Sequence, residues 1–328
     1  MKFGILASHQ YLRSDDLGQR LGELWTTTSQ AAELDYQSVF AINHFVGNLQ
    51  TPQTISVLSK LIDVSGDMQV GTSILILPLY HPVHIAEEFA TLDHMSGGRL
   101  VLGVGAGYRN NEMAAFGIDK GQRFRRMAES VQLIREFWKG ERVSHSGDFF
   151  AIEDEEISVK PYQVGGPQIW FGAGNDRSIR RAARDGDGWI IPGNSPKEGW
   201  FERAIGIHDE ELAAAGKVRE GRDYPIILSV YVDSDTERAQ ERARPHLESE
   251  YFSYSEYPQL SFQRERFEFL WENRFVIGDP DHVAKRLSWF KSLGVNHVLA
   301  RMSWLGFPHA LTMSSLELFA KEVMPRFR

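Results

Sequence analysis

The sequence predicts an α/β chain folded as a closed (β/α)₈ TIM barrel with insertions. Three observations carry this. Strand-like and helix-like segments alternate from the first residues to the last, eight such pairs can be marked out, and no low-complexity linker or internal repeat interrupts them. Eight strands, each followed by a helix, fit a closed barrel better than an open doubly wound sheet.

Lys2–Ala7 is a short apolar strand, and Leu17–Leu34 follows with Leu17, Leu21, Leu24 and Ala31 on one helical face. Ser38–Ile42 is the second strand. Thr51-Pro52 is expected to open the next helix as cap and first-turn proline, running on through Leu58, Leu61 and Val64. Met68–Ile76, Arg99–Gly105, Gln168–Gly172, Gly188–Ile191, Ile226–Val232 and Asn296–Met302 are strands three to eight. The helices between and after them are His84–Met95, Gln122–Trp138, Arg177–Arg184, Pro196–Ala215, Asp279–Leu293 and Leu311–Val323.

Two stretches break the rhythm. Within 141–162, Phe149–Ile152 and Ile157–Val159 are expected to pair as a hairpin outside the barrel. The second, about 245–275, is rich in Tyr and Phe. It reads either as a helix with an apolar face or as a wall or lid over a substrate pocket. All 328 residues are expected to form one domain.

Composition narrows the function. A net charge of −8 disfavours nucleic acid and anionic membrane as partners. The absence of cysteine rules out disulfides, thiolate nucleophiles and cysteine-ligated metals. Met1 to His9 has no long apolar stretch, and Ile74 to Leu79 is too short to span a bilayer, so a soluble, cytoplasmic protein is expected.

Barrel active sites lie at the C-terminal ends of the strands. That rule selects Ser8 and His9 after strand one, Asn43 and His44 after strand two, and Thr72, Ser73 and Ile74 on strand three. It also selects Gly103 to Glu112 after strand four, Gly172 to Ser178 after strand five, Pro192 and Gly193 after strand six, and Arg301, Ser303 and Trp304 after strand eight. The strand-four loop is GxGxG with Tyr108 in place of the last glycine of a Rossmann fingerprint, and it lies in mid-chain, so a dinucleotide fold is disfavoured. The strand-five loop is either a tight turn or an anion site, in which small residues open a helix N-terminus and Arg177 and Ser178 add charge and a hydroxyl. His44 is the foremost catalytic candidate; a lone histidine is otherwise a scaffold residue. His81 and His84 are three apart, but no carboxylate or histidine set completes a metal site. Asp93, Ser96, Gly97, Gly98 and Arg99 lie at the opposite barrel face, where a structural turn and ion pair are expected.

Four segments carry a resemblance over nearly the whole chain. They are Leu92 to Gly107 (LDHMSGGRLVLGVGAG), Gly71 to Ile74 running on to His81-Pro82, Gly172 to Trp189 with its AARDGDGW ending, and Ser315 to Pro325. In this order they resemble the bacterial luciferase-like monooxygenase family of flavin and deazaflavin enzymes. The resemblance implies FMN, or alternatively the deazaflavin coenzyme F-420, in the barrel mouth. It places Asn43 and His44 beside the ring, with Ser73-Ile74 at a site where the family often has a non-prolyl cis peptide. Ala106 and Gly107 fall near the ring and ribityl chain, Ala173, Gly174 and Ser178 at the phosphate, and Pro192 and Gly193 at further cofactor contacts. Gly105 and Ala106 stand where luciferase proper has cysteine and arginine, which argues against light emission. The Asn-His-Phe ending of strand two matches neither the Asp-His of many deazaflavin members nor the Glu-His-His of many FMN members.

The leading expectation is an FMN-dependent monooxygenase fed reduced flavin by a separate reductase, since no nicotinamide-binding segment is evident. The alternative is deazaflavin-dependent hydride transfer with His44 as acid/base. A flavin-binding protein without turnover and a metal-dependent barrel hydrolase are further alternatives. The family also implies a homodimer with Pro52–Val64 and His84–Met95 at its interface.

Overall fold

A computed structural model describes Met1–Arg328. Eight parallel strands form the barrel: β1 (Lys2–Ala7), β2 (Ser38–Ala41), β3 (Gln69–Thr72, resumed at Leu75–Ile76), β4 (Leu100–Gly105), β5 (Gln168–Gly172), β6 (Gly188–Pro192), β7 (Pro225–Val232) and β8 (His297–Arg301). They pair in sequence order. β8 pairs with β1, with Lys2 opposite His297, and β6 pairs with β7, with Ile226 opposite Ile191, so the sheet closes. All eight strands lie within two residues of their expected bounds, because their near-continuous apolar runs are what a strand buried on both faces requires.

The barrel interior is filled, not hollow. Leu6, Phe40, Val101, Trp170, Ile190 and Leu299 pack as one cluster, with Phe40 and Trp170 stacked at 5.2 Å between centroids. Gly4 admits this packing, since a Cβ there would lie 1.8 Å from Ser38 Oγ. A larger cluster of 62 buried residues lies between the strands and the surrounding helices. No helix is long and apolar enough to cross a membrane.

Several expectations are corrected. The second helix starts at Thr54, not Pro52. Tyr11 and Gln50 exchange backbone hydrogen bonds at 3.0 and 2.9 Å, which holds the chain extended up to that point. The hairpin pairs Val143–Ser146 with Ala151–Glu155, and Ile157–Val159 is no strand. The Glu129 carboxylate decides the turn by accepting from Phe149 N at 3.2 Å and Phe150 N at 3.0 Å. The helix expected from Pro196 begins only at Trp200, because Arg274 Nε and Nη2 donate to the carbonyls of Ser195 and Lys197 and hold that segment as a loop. A short helix, Asn110–Ala115, follows β4 and was not expected.

Pro245 opens no insertion. It lies inside helix Thr236–Tyr254, which is capped by the Asp235 side chain accepting from Arg238 N at 2.9 Å. The aromatic residues that follow divide between the two readings. Tyr251, Phe267 and Phe275 join Tyr231, Trp304 and Phe307 in a separate buried cluster. Tyr254 and Leu260 reach the barrel mouth. At the opposite face the expected turn is present, with Gly97 left-handed at φ 62°, but Asp93 and Arg99 form no ion pair. Asp93 accepts from Gln163 N and Nε2, while Arg99 donates to Ser65 and to the Met68 carbonyl.

Candidate active site

A cleft of about 470 Å³ opens at the C-terminal ends of the strands. Its floor is apolar, formed by Leu6, Ile42, Ile74, Ile190 and Ile227 above the barrel core. Ile74 lies across it, tightly enough that a Cβ on Gly105 or on Gly172 would come within 2.7 Å of its side chain. The Ser73–Ile74 peptide is cis.

His44 stands at the edge of this floor. Its Nδ1 lies 2.9 Å from Glu112 Oε1, which also accepts from Phe45 N at 2.8 Å. Glu112 is fully buried and belongs to the short helix after β4. A carboxylate accepting at Nδ1 fixes the imidazole tautomer and leaves Nε2 as a hydrogen-bond acceptor. Tyr108 OH lies 3.2 Å from that Nε2. Burial holds His44 below the ordinary histidine range, an effect partly offset by Glu112 and reinforced by Arg109.

Arg109 locks this corner. It is buried, 3.9 Å from Glu112 Oε1, and its guanidinium lies 4.3 Å from the Tyr257 ring centroid and 5.8 Å from that of Tyr254. It thereby fastens the aromatic segment after β7 to the β4 loop.

Asn43 lines the cleft, but its amide is engaged by the protein. Nδ2 donates to Thr54 Oγ1 at 2.8 Å and to Tyr80 OH at 3.2 Å, and Oδ1 accepts from Ile76 N at 3.0 Å. Thr72 does not reach the cleft. Its buried hydroxyl donates to Gly103 O at 2.7 Å and accepts from Gly103 N at 3.0 Å, joining β3 to β4. Ser73 does line the cleft, and its buried hydroxyl has no partner.

At the other end the β5 loop opens helix Asp176–Asp185. Asn175 caps it, accepting from Ser178 N at 3.0 Å, while Ser178 Oγ accepts from Asn175 N at 3.2 Å. The buried Trp189 indole donates to Ala173 O at 3.0 Å and holds the loop from below. Ala173, Gly174, Asn175 and Ser178 line the cleft with Ala106, Gly107 and Pro192. Arg177 is exposed, and neither it nor Gly193 lines the cleft. Gly193 serves packing, since a Cβ there would lie 1.9 Å from Ile227 O.

The functional side chains that sequence reasoning left without roles are Glu112, Tyr108, Arg109, Gln10 and Tyr254. Glu112 sat in view within the strand-four loop, and the Arg109–Glu112 spacing of three was a usable clue.

This arrangement fits a flat tricyclic ring carrying a phosphate-bearing chain. The apolar floor suits the ring, the unpartnered Ser73 hydroxyl lies on its path, and the small-residue turn leaves open the space that a Cβ at Gly174 would take, 3.3 Å from Pro192.

The family described as "Luciferase-like monooxygenase" matches residues 1–297. An F-420-dependent glucose-6-phosphate dehydrogenase of Microbacterium testaceum (strain StLB037) is 29% identical over 343 aligned residues, covering 100% of this chain and 98% of the relative. Among solved structures, monooxygenase RslO1 from Streptomyces bottropensis superposes with a TM-score of 0.90 at 21% identity, covering 100% of both chains. An F-420-dependent secondary alcohol dehydrogenase, in complex with an F-420–acetone adduct, superposes with a TM-score of 0.82 at 22% identity, covering 100% of this chain and 99% of the other.

Proposed function

Because this chain belongs to the luciferase-like monooxygenase family, and is an oxidoreductase acting on a small organic substrate, we propose that it is a deazaflavin-dependent dehydrogenase. In this reading it transfers hydride between coenzyme F-420 and an alcohol or ketone. That ranks the deazaflavin alternative above the FMN monooxygenase reading. The curated relative that aligns end to end is named for this coenzyme, and hydride transfer removes the need for a separate flavin reductase.

The observation that carries the proposal is His44 in the lining of the cleft, with Nδ1 on Glu112 and Nε2 3.2 Å from Tyr108 OH. Oxidising an alcohol requires a base for the hydroxyl proton as hydride leaves the carbon. His44 Nε2 is that base, within reach of Tyr108 OH at 3.2 Å, and the buried Glu112 stabilises the imidazolium that forms. The bound deazaflavin would supply the hydride-accepting carbon. Ser73, Ile74, Ala106 and Gly107 would line its ring end, and the backbone of Ala173 and Gly174 with the Ser178 hydroxyl its phosphate end. The apolar floor keeps bulk water from the reacting carbon. A homodimer through Pro52–Val64 and His84–Met95, the segments expected at its interface, belongs to the same proposal.

The test is bleaching of oxidised F-420 by a panel of alcohols with purified protein, run beside FMN with a reductase and oxygen. Bleaching without oxygen consumption is expected. Oxygen-dependent product formation with FMN alone would reverse the ranking.

A further inference from the structure

The substrate wall of the cleft is short of net charge. Arg301, at the end of β8, is the only guanidinium lining it, and no lysine or carboxylate lines it. Behind Arg301, in a small adjoining cavity that shares Ser8, Gln10 and Arg301 with the cleft, lies Glu250 of helix Thr236–Tyr254. Arg301 Nη2 is ion-paired with Glu250 Oε1, and the carboxylate is 2% exposed. Its second oxygen accepts from Leu305 N at 3.1 Å, so Glu250 is held in place from two sides. The same cavity carries Asp15, Arg20, Glu23 and His309 farther in, whereas the polar groups that it shares with the cleft besides Arg301, namely Ser8 and Gln10, are uncharged. Tyr254 OH donates to Gln10 Oε1, and the buried Ser8 hydroxyl has no partner. The rest of the wall is aliphatic, including Leu6, Ile227 and Leu260.

A dianionic phosphate brought to Arg301 would meet a guanidinium already neutralised, with a fixed carboxylate directly behind it. In a dry cleft that repulsion is poorly screened. A neutral group loses nothing there and can hydrogen-bond to Ser8, Gln10 or Tyr254. We propose that the site takes small uncharged alcohols with an apolar body, that the Arg301–Glu250 pair excludes phosphorylated and other anionic substrates, and that Glu250 is the specificity-determining residue. The claim rests on the hydride-transfer reading above, and it separates this chain from its glucose-6-phosphate-oxidising relative. In the reaction the carbinol C–H bond breaks with its electron pair leaving to the oxidised deazaflavin. The hydroxyl proton goes to His44 Nε2, and the C=O bond forms.

Two probes of nearly equal shape, one neutral and one anionic, test it: hydroxycyclohexanecarboxamide and hydroxycyclohexanecarboxylate, titrated calorimetrically into the F-420-loaded protein. The wild type should bind the carboxamide at least about tenfold more tightly. In Glu250→Gln, which frees the Arg301 cation, the ratio should fall by about tenfold or reverse, and glucose 6-phosphate should begin to bind. Carboxylate binding equal to or tighter than carboxamide binding in the wild type overturns the proposal, and so does an unchanged ratio in the variant. If Glu250→Gln does not fold, the wild-type pair alone decides. Turnover separates the two claims. Bleaching of F-420 by glucose 6-phosphate sinks the substrate class and leaves the hydride-transfer reading standing. Neutral preference without any F-420 turnover does the reverse.

Discussion

At the β4 end of the cleft the polar groups are interlocked side chains, and at the β5 end the lining is a turn of small residues held by a local cap. His44, Glu112, Tyr108 and Arg109 interlock through contacts of 2.9 to 3.9 Å, and the histidine and its carboxylate partner are 68 residues apart in sequence. Ala173, Gly174, Asn175 and Ser178 lie within six consecutive residues and form a small-residue turn organised by a local cap, in which Asn175 N, Ser178 N and the Ser178 hydroxyl are bonded to one another's residues. The difference matches the roles proposed for the two ends. Moving a proton needs a desolvated imidazole of one tautomer, and that takes a buried charged partner delivered by another strand. Holding an anion needs only small residues at a helix start, where peptide dipoles already point outward.

Substitutions at the two ends should therefore fail in different ways. The largest effect is expected at the side-chain end. His44→Ala should keep the fold and lower turnover by about 10²–10⁴-fold, with cofactor affinity little changed. Steady-state kinetics beside cofactor titration checks this, and a near-wild-type rate removes His44 from the chemistry.

Glu112→Gln should cost about 10²-fold in kcat and also move the pH profile. The Glu112 carboxylate, accepting at Nδ1, raises the His44 pKa against burial, with Arg109 as the opposing charge. Removing the carboxylate lowers that pKa further. The acid limb of kcat/KM, set by the neutral base, should then shift to lower pH. A limb that stays in place would mean that Glu112 acts on the fold alone.

At the backbone end Gly174→Val should leave the pH profile alone and weaken FMN and F-420 binding together by about tenfold, near the upper range for an anion at a helix N-terminus. Comparing FMN with riboflavin isolates the phosphate. The wild-type preference for FMN should largely vanish in the variant, and its persistence would place the phosphate elsewhere.

The smallest effect is expected for Asn175→Ala. Loss of the cap costs about 1 kcal/mol, which is about 1–2 °C in Tm for a chain of this size. Differential scanning calorimetry should show that shift, with turnover at saturating cofactor within twofold of wild type. A catalytic loss as large as that of Glu112→Gln would erase the contrast between the two ends.

What the sequence determined by itself follows the same division. The eight strands and the β5 turn were legible because their causes are local: apolar runs for strands buried on both faces, and small residues opening a helix. The position of His44 at a strand end was legible for the same reason. Its partner was not. Glu112 becomes a functional residue only when β2 and β4 are brought to the same rim, two strands apart in a barrel whose closure no local pattern encodes. Tertiary structure likewise engaged the Asn43 amide with Thr54, Tyr80 and Ile76 at the cleft lining, turned the Thr72 hydroxyl away from the cleft onto Gly103, and divided the aromatic segment after β7 into a buried cluster and a cleft wall. It also set Glu250 behind Arg301, 51 residues away in the chain. Local backbone preference is written residue by residue, whereas desolvation and charge pairing exist only once distant segments share the same low-dielectric volume.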